Sequence, residues 1–444
     1  MKIKFRITLA ASIGLALTGC QFDWLKSNSG KVEGVPLSHF KVENKHYFPA
    51  FIKRFFDKAT DFEREFPTVD LAASGVKLIQ VKPLNTKNSK FNEANLSWSA
   101  DGAYLGFEVI HSGFRKIMLK DLVGNYSREL MMIPKGRNDF LNGMVVDSAH
   151  SYNAGLRWSK DSTRFAFMSN GGVGEYNIYV GAVGSKEKSV ASSPTKDGYA
   201  VWNPKKNQIA FVSGRSGNGD IYLFDLSSKK LDRLTTSNNV DIFPEWSRNG
   251  NQLVYSSGDA LNHNLMTIRK DLQTDKMLKP VYLTRWKNDD LRPTISPDGN
   301  HVAFFSSKNL NSSGPSRVWD ILVVPLNEKK TYISTELENM VVARDVVIDL
   351  NTGPAWSPDG RKIFYIKRDP EEMNPIYAYD LFSGSKYKIA TNTNMNSDLM
   401  MSKIGVLSFR AQKGVWDRVF VALTNQGLRN TTTQKLNSKI HYVR

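Results

Sequence analysis

The sequence predicts an all-β chain that folds as a seven-bladed β-propeller, with a short helical segment ahead of it. Three observations lead to this prediction. A phrase of the form Trp-Ser-x-Asp-Gly-x-x-Ile-x-Phe recurs along the chain, most clearly as "AWSPDGRKIFY". Successive copies are spaced 44 to 61 residues apart, and a second apolar run such as "IYLFDL" follows most copies after about nineteen residues. Self-similarity at such a period indicates one supersecondary unit that is stacked many times.

Six clear copies share a first position, a tight turn and an aromatic residue nine positions later. The first positions, which we call anchors, are Trp98, Trp158, Trp202, Trp246, Ile295 and Trp356. The aromatic residues are Phe107, Phe167, Phe211, Tyr255, Phe304 and Tyr365. A degenerate seventh copy is predicted. Its anchor is Met400 and its aromatic residue is Phe409, and it lacks the Asp-Gly turn. Each copy predicts four antiparallel strands joined by turns, which is the pattern of a propeller blade.

The seventh blade needs a closing strand from elsewhere in the chain. The stretch "VKLIQVK" at residues 76–82 precedes the first anchor, at the place of a fourth strand. We expect it to complete the last blade, so that no sheet edge stays open. The alternatives are that "TTTQKL" near the C-terminus closes the blade, or that six blades close and the tail packs outside.

The N-terminus predicts export and a lipid anchor. Lys2, Lys4 and Arg6 precede an apolar stretch at residues 7–17 that is too short to span a bilayer. The sequence Leu17-Thr18-Gly19-Cys20 follows, and Cys20 is the only cysteine. It resembles the lipobox of bacterial lipoproteins. This resemblance implies that Cys20 carries the lipid chains, palmitate among them, and that Gln21 directs a Gram-negative lipoprotein to the outer membrane, facing the periplasm or the cell surface.

The chain divides in order into five predicted parts. Residues 1–19 are the signal peptide, 20–46 a tether, 47–75 a helical segment, 76–425 the propeller and 426–444 a C-terminal tail. The helical segment is predicted from phenylalanines at helical spacing in "AFIKRFFDKATDFEREF".

Two of the repeats, "PAWSPDGRKIFYIK" and "RPTISPDGNHVAFFS", resemble those of the TolB-like propellers. The resemblance covers about Glu93 to Asn425 and implies the propeller fold. TolB proteins also have six blades and a separate N-terminal α/β domain, for which residues 21–75 are too few. The lipobox is a second departure, so the role of TolB in outer-membrane energisation is not carried over.

A ring of oxygen-bearing side chains is the first candidate site. The residues five positions before the six clear anchors are Glu93, Asn153, Asp197, Asp241, Asp290 and Asn351. They precede the innermost strands, so radial symmetry places them near one mouth of the central channel. Such a ring suits a divalent cation or the hydrogen-bond donors of an inserted peptide. The alternative is local hydrogen bonding at the start of each strand.

Two long connections form the second candidate site. The insertions at residues 133–153 and 333–353 lengthen the passage between blades on the same side as the ring. Loops added to one face of a repeat protein often build its binding surface. Arg137, Asp139, Arg344 and Asp345 are expected there.

Charge and motifs favour binding over catalysis. The formal net charge of +17 suits an anionic partner. The seven histidines form no zinc motif, and no Gly-x-Ser-x-Gly sequence is present. We therefore expect a scaffold without a cofactor that binds an envelope protein or an anionic glycan, and no nucleic acid. The alternative is a propeller-type polysaccharide lyase, similar to oligogalacturonate lyase, with His150 and His263 able to reach a channel mouth or its loops.

Overall fold

The computed structural model describes most of the predicted propeller. The described residues are 78–84, 91–111, 114–122, 126–129, 140–141, 144–145, 152–171, 175–183, 185–259, 262–307, 317–326, 330–333, 336, 340–389, 391 and 393–424. The predicted signal peptide, tether, helical segment and C-terminal tail lie outside these residues. So do Cys20, Arg137, Asp139 and His150. Within the described residues there is no helix of the length and apolar character that a membrane span requires.

Seven four-stranded antiparallel sheets make up the described fold, as predicted. The strands of blades 1 to 3 are β2 (Asn92–Trp98), β3 (Tyr104–His111), β4 (Phe114–Asp121), β5 (Tyr126–Glu129), β8 (Asn153–Trp158), β9 (Arg164–Ser169), β10 (Asn177–Ala182), β11 (Lys188–Val190), β12 (Asp197–Trp202), β13 (Gln208–Ser213), β14 (Asp220–Asp225) and β15 (Leu231–Arg233). Those of blades 4 and 5 are β16 (Val240–Trp246), β17 (Gln252–Gly258), β18 (His263–Arg269), β19 (Val281–Tyr282), β21 (Asp289–Ile295), β22 (His301–Ser307), β23 (Asp320–Pro325) and β25 (Val341–Ala343). Those of blades 6 and 7 are β26 (Ala355–Trp356), β27 (Lys362–Ile366), β28 (Ile376–Asp380), β29 (Lys386–Ile389), β30 (Asn394–Met401), β31 (Val406–Lys413), β32 (Trp416–Thr424) and β1 (Leu78–Pro83). Two small sheets pair β6 (Phe140–Leu141) with β7 (Met144–Val145), and β20 (Thr284–Arg285) with β24 (Tyr332–Ile333).

The ring closes through the N-terminal strand. β1 pairs antiparallel with β32, with Val81 opposite Ala422. Blade 7 therefore takes three strands from the end of the described chain and one from its beginning. This confirms the predicted closing strand and removes the open edge that three strands would leave.

The recurring turn is held by the same kind of side-chain hydrogen bond in five blades. In blade 6, the Ser357 hydroxyl donates to Asp359 Oδ1 at 2.5 Å, and the backbone N–H of Arg361 donates to the same oxygen at 3.0 Å. Gly360 follows with a φ of 71°, in the left-handed region that glycine tolerates best. Equivalent Ser and Asp or Asn pairs lie in blades 1, 2, 4 and 5.

The repeated aromatic residue forms the core. Phe167, Phe211, Tyr365 and Phe409 each stack on an aromatic residue of the third strand in the same blade, with ring centroids 5.8 to 6.2 Å apart. All four are buried. Because each blade has two faces to bury, this core exists only when neighbouring blades pack on it.

The seventh anchor was predicted one residue too early. The hydrogen bond that closes the turn runs from Ser402 N to Val406 O, whereas blade 6 uses Ser357 N and Lys362 O. The anchor is therefore Met401, not Met400, and the turn is one residue shorter than the others. Phe409 still occupies the aromatic position because the shorter turn offsets the shift.

Candidate functional site

The antiparallel order of the strands gives the propeller two distinct faces. The innermost strands β2, β8, β12, β16, β21, β26 and β30 all run in one direction. We call the face at which they begin the loop face, and the face that carries the Ser-x-Asp-Gly turns the turn face. The central channel runs between the two faces and is lined by the innermost strands.

One backbone position repeats around the channel in a left-handed conformation. It lies three residues before each anchor, with φ between 48° and 73° in Asn95, Gly155, Tyr199, Phe243, Arg292, Gly353 and Asp398. In blades 1 to 5 the pairing of the innermost strand with the second strand shifts register here, as in a β-bulge. A bulge interrupts the alternation of side chains and redirects one of them. We call these seven residues the bulge ring.

Members of the bulge ring contact each other across blades. Tyr199 packs edge-on against Phe243, with ring centroids 4.8 Å apart. The Arg292 guanidinium lies 4.7 Å from the centre of the Phe243 ring. On the other side, the Asn95 backbone N–H donates to Asp398 Oδ2 at 3.2 Å. Members of the bulge ring thus form contacts between blades 3, 4 and 5 and between blades 7 and 1 that no single blade contains.

Charged groups cross the channel beneath this ring. Arg157 and Arg292, from blades 2 and 5, both donate to the backbone carbonyl of Asn351. Burial, and after it the positive charge of Arg157, lower the pKa of Arg292 to about 9. Burial raises the pKa of Glu245, whereas Arg157 and Arg292 act to lower it. The middle of the channel is therefore occupied by protein charges.

Buried carboxyl groups lie towards the loop face. Glu108 accepts hydrogen bonds from Asn95 Nδ2 at 2.6 Å and from Gly155 N at 2.9 Å, and it lies 3.4 Å from Arg115 Nη1. Burial nonetheless raises its pKa to about 7. Burial, together with Asp349, raises the pKa of Asp398 to about 6. These groups join blades 1, 2 and 7 by hydrogen bonds that run between the blades.

Five of the six predicted ring residues do not line an open mouth. The side chains of Glu93, Asn153, Asp197, Asp241 and Asp290 are each at most 2% exposed. Four of them lie opposite a serine of the second strand of their own blade. Asp290, for example, accepts from Ser306 Oγ and Thr284 Oγ1, both at 2.7 Å. These contacts place the four side chains within their blades, and Glu93 Oε2 accepts from Val419 N of blade 7 at 3.0 Å, which corrects the expected geometry. A role for them in binding stays a prediction.

The sixth residue, Asn351, is placed differently. It is half-buried, its Nδ2 donates to Asn95 Oδ1, and its carbonyl receives Arg157 and Arg292. Asn351 thus touches the channel, mainly through its backbone.

Arg344 and Asp345 lie at the joint between blades 5 and 6. Asp345 Oδ1 is 2.9 Å from Arg368 Nε, and its Oδ2 is 3.4 Å from Lys367 Nζ. Arg344 Nη1 is 3.4 Å from Asp320 Oδ2. Both side chains are partly exposed, but their charges are paired with other side chains of the protein.

His263 is not positioned in the channel. It is buried, and its Nδ1 lies 2.7 Å from Asp289 Oδ1, whose other oxygen is 2.6 Å from Arg317 Nη1. Among the described residues, no group of three or more His, Cys, Asp or Glu side chains is arranged to hold a metal ion.

Exposed large apolar side chains are unevenly distributed over the described surface. Seven lie on the loop face, two on the turn face and four along the outer edge of blades 4 and 5. The seven are Tyr199, Val240, Val318, Leu350, Met373, Met395 and Val415. The loop face is therefore the more apolar of the two, and it surrounds the channel mouth that Tyr199 borders.

The bulge ring was not predicted, because the acidic and amide side chains that repeat in the sequence lie two residues before it. Asn95, Gly155 and Gly353 were available as a signal, since Asn and Gly tolerate positive φ better than other residues. Tyr199, Phe243 and Arg292 occupy the same position and carry no such signal.

Three comparisons describe what this chain is similar to. The profile of the TolB beta propeller domain, PD40, matches residues 141–318. The Tol-Pal system protein TolB of Desulfotalea psychrophila is 33% identical over 102 residues, which are 23% of this chain and 22% of that protein. The Tol-Pal system protein TolB of Helicobacter pylori (strain ATCC 700392 / 26695) is 22% identical over 274 residues, which are 60% of this chain and 56% of that protein. The chain thus spans about half, or less, of the length of these curated relatives.

Among solved structures, oligogalacturonate lyase in complex with manganese superposes with a TM-score of 0.54 at 14% sequence identity. The match covers 81% of this chain and 96% of the lyase chain. At this identity the likeness concerns the fold alone.

Proposed function

We propose that this chain, a TolB-like β-propeller, is a lipid-anchored scaffold of the bacterial cell envelope that binds a protein partner through its loop face. Cys20 would hold it at the outer membrane. The sorting residue Gln21 supports this location, in a Gram-negative cell.

The concentration of exposed apolar side chains on the loop face carries the proposal. Tyr199 and Met395 are each 43% exposed, and Met373 is 44% exposed. Aromatic residues and methionine are enriched at the centres of protein interfaces. The closed ring presents them on a rigid frame, so little ordering entropy is lost on binding.

The charges on this face favour a protein over an anionic glycan. Glu108 and Asp398 lie buried below the loop-face mouth, and nearby basic groups such as Arg410 and Arg115 are already paired with them. An acidic polymer would find few unpaired cations there.

We further propose that the chain acts by binding and not by catalysis. Glu245 and the two arginines of the channel are arranged to neutralise one another, and His263 is buried against Asp289. Incubation with acidic polysaccharides, with and without divalent metal, should give no new unsaturated ends. Metal-dependent formation of such ends would favour a lyase.

The test of the scaffold is crosslinking in intact envelope followed by capture of the protein. A Tyr199→Ala/Met395→Ala variant should lose a defined partner that the parent captures. A Val281→Ala/Ile333→Ala variant, which removes exposed apolar side chains from the outer edge, should retain it. Equal capture by all three proteins would refute the assignment of the loop face.

The anchor is tested separately. At high salt, Cys20→Ser should move the protein from the membrane fraction to the soluble fraction. Continued membrane association of the unacylated protein at high salt would show that another segment anchors it.

A further inference from the structure

The turn face carries a cleft between blades 2 and 3 that the proposed function does not use. Its volume is about 370 Å³. It is lined by residues of the two neighbouring turns, namely Ser159, Lys160, Asp161, Arg164, Trp202, Asn203, Pro204, Lys205, Lys206 and Asn207. Four of these ten carry a positive charge and one a negative charge, so the cleft is strongly cationic.

The four cations of the cleft differ in whether another side chain of the protein contacts them. Arg164 donates to Asn207 Oδ1 and lies over the Trp202 ring, 4.7 Å from its centre. Lys206 is paired with Asp275, at 2.6 Å. Lys160 and Lys205 are exposed, and no described carboxylate lies within ion-pair distance of either.

The only carboxylate of the cleft is committed to its own turn. Asp161 Oδ1 accepts from Ser159 Oγ at 2.5 Å and from Thr163 Oγ1 at 2.8 Å. Its partner among the cations is Arg164, at 4.0 Å. It therefore leaves the two free lysines without a counter-charge.

Further cations extend this charge towards the channel mouth. Arg248 of blade 4 and Lys403 of blade 7 occupy the same turn position as Lys160, two residues after the anchor. Partial burial lowers the pKa of Lys160, and the charges of Lys205 and Arg248 lower it further. The pKa of Lys403 is lowered by burial and then by Lys160. Lys160 is therefore close enough to Lys205, Arg248 and Lys403 for their positive charges to act on one another.

The closing strand begins on this face. β32 runs from the loop face to the turn face, and β1 is antiparallel to it. β1 therefore begins at the turn face. Leu78, the first described residue, therefore lies on the same face as the cleft.

We propose that the turn face binds phosphate groups of an anionic phospholipid surface, with Lys160 and Lys205 as the central contacts and Arg248 and Lys403 beside them. Lysine acts on phosphate as a point charge, so separate ammonium groups from two blades can contact different oxygens of headgroups. Clusters of basic residues near a membrane are attracted by the negative surface potential. The proposal rests on the membrane location proposed above, but not on the protein partner.

The experiment is vesicle co-sedimentation of the full chain carrying Cys20→Ser, so that no acyl chain contributes. Vesicles of phosphatidylcholine alone are compared with vesicles that contain phosphatidylglycerol, at low and high salt. The protein should bind the anionic vesicles, and binding should weaken as salt rises. Equal binding to both kinds of vesicle would overturn the proposal.

Two matched variants in the same background locate the site. Lys160→Gln/Lys205→Gln should weaken binding to anionic vesicles about 30-fold. Lys188→Gln/Lys279→Gln removes the same charge from the outer edge of blades 2 and 4 and should change it little. Equal losses in both variants would mean that net charge alone is responsible, which contradicts a site. Lys160→Arg/Lys205→Arg should restore binding.

A second ligand separates the sources of phosphate. Inorganic diphosphate, followed by calorimetry, should bind weakly and should compete with anionic vesicles. Binding of diphosphate to the parent without any binding to anionic vesicles would overturn the membrane assignment. The Cys20 and loop-face variants do not affect these outcomes, so this proposal and the proposed function fail separately.

Discussion

Asp241 is a carboxyl group whose burial has measurable consequences. It is 1% exposed, and neither of its carboxylate oxygens has a hydrogen-bond partner among the described residues. Burial raises its pKa to about 6. The folded protein therefore holds this proton more tightly than the unfolded chain, in which an aspartate loses it near pH 4. Stability linked to this group is present below pH 4 and is lost as the pH rises through 6.

Asp241→Asn should stabilise the protein above pH 6 by about 1 to 3 kcal/mol, because the amide keeps the shape of the side chain without the buried charge. The gain should shrink towards pH 4, where the parent is also uncharged at this position. Urea unfolding at several pH values measures both effects.

Asp271→Asn serves as the control for this change. Asp271 lies in a turn and accepts the backbone N–H groups of Gln273 and Thr274, which lower its pKa. It should give no gain above pH 6. A difference between parent and Asp241→Asn that does not depend on pH would contradict the assignment of the buried charge.

At the scale of the strand, each innermost strand departs from regular β geometry at its bulge-ring residue. The left-handed residue three positions before each anchor turns a side chain towards its neighbours around the channel. Blades 2 and 6 have glycine at this position, but the space around the two glycines differs. A Cβ built on Gly353 would lie 2.8 Å from the Arg292 carbonyl oxygen and 2.7 Å from Thr294 Cγ2, whereas a Cβ on Gly155 meets nothing within 4 Å.

Gly353→Ala should therefore cost more stability than Gly155→Ala. Both variants strain a positive φ, which costs about 1 kcal/mol or more. Gly353→Ala must also displace the backbone of blade 5, so we expect a total of about 3 kcal/mol. Unfolding in urea compares the two. Equal losses would show that the close approach of blades 5 and 6 relaxes without cost.

At the scale of the whole molecule, β1 closes the ring. Without it, blade 7 would have only three strands. β1 contributes five registered pairs with β32. A chain that begins at residue 84 lacks this strand, whereas one that begins at residue 76 retains it. Loss of about one net hydrogen bond for each pair should lower the free energy of unfolding by roughly 5 kcal/mol.

The shorter chain should also self-associate, because the edge of β32 is then unpaired. Urea unfolding and size-exclusion chromatography test the two consequences. If both chains are equally stable and monomeric, the three remaining strands of blade 7 are sufficient for closure.

The two faces of the ring divide the proposed roles. Exposed apolar side chains concentrate on the loop face, and unpaired cations on the turn face, where β1 begins. A propeller held to a membrane by its turn face would present its loop face away from the membrane. Variants of Tyr199 should therefore leave vesicle binding intact, and variants of Lys160 should leave partner capture intact.

The sequence by itself determined the blade. The Ser-x-Asp-Gly turn, the aromatic residue after it and the apolar third strand are local features, so each copy could be recognised from its own residues. Seven copies and a spare strand at residues 76–82 then predicted the closed ring, and the pairing of β1 with β32 decided it against a C-terminal closing strand or six blades. The turn of blade 7 was misplaced by one residue because "MSKIGV" lacks the Asp-Gly pair that sets the turn length elsewhere.

Only the tertiary structure decided which side chains face the channel. Asp197, Asp241 and Asp290 looked like a ring because they repeat, but each is satisfied or buried inside its own blade. Tyr199, Phe243 and Arg292 share no chemistry, and they meet because a bulge in each innermost strand turns them towards one axis. The cationic cleft has the same origin. Lys160 and Lys205 come from separate repeats, and their proximity depends on how neighbouring blades pack, which no local pattern encodes.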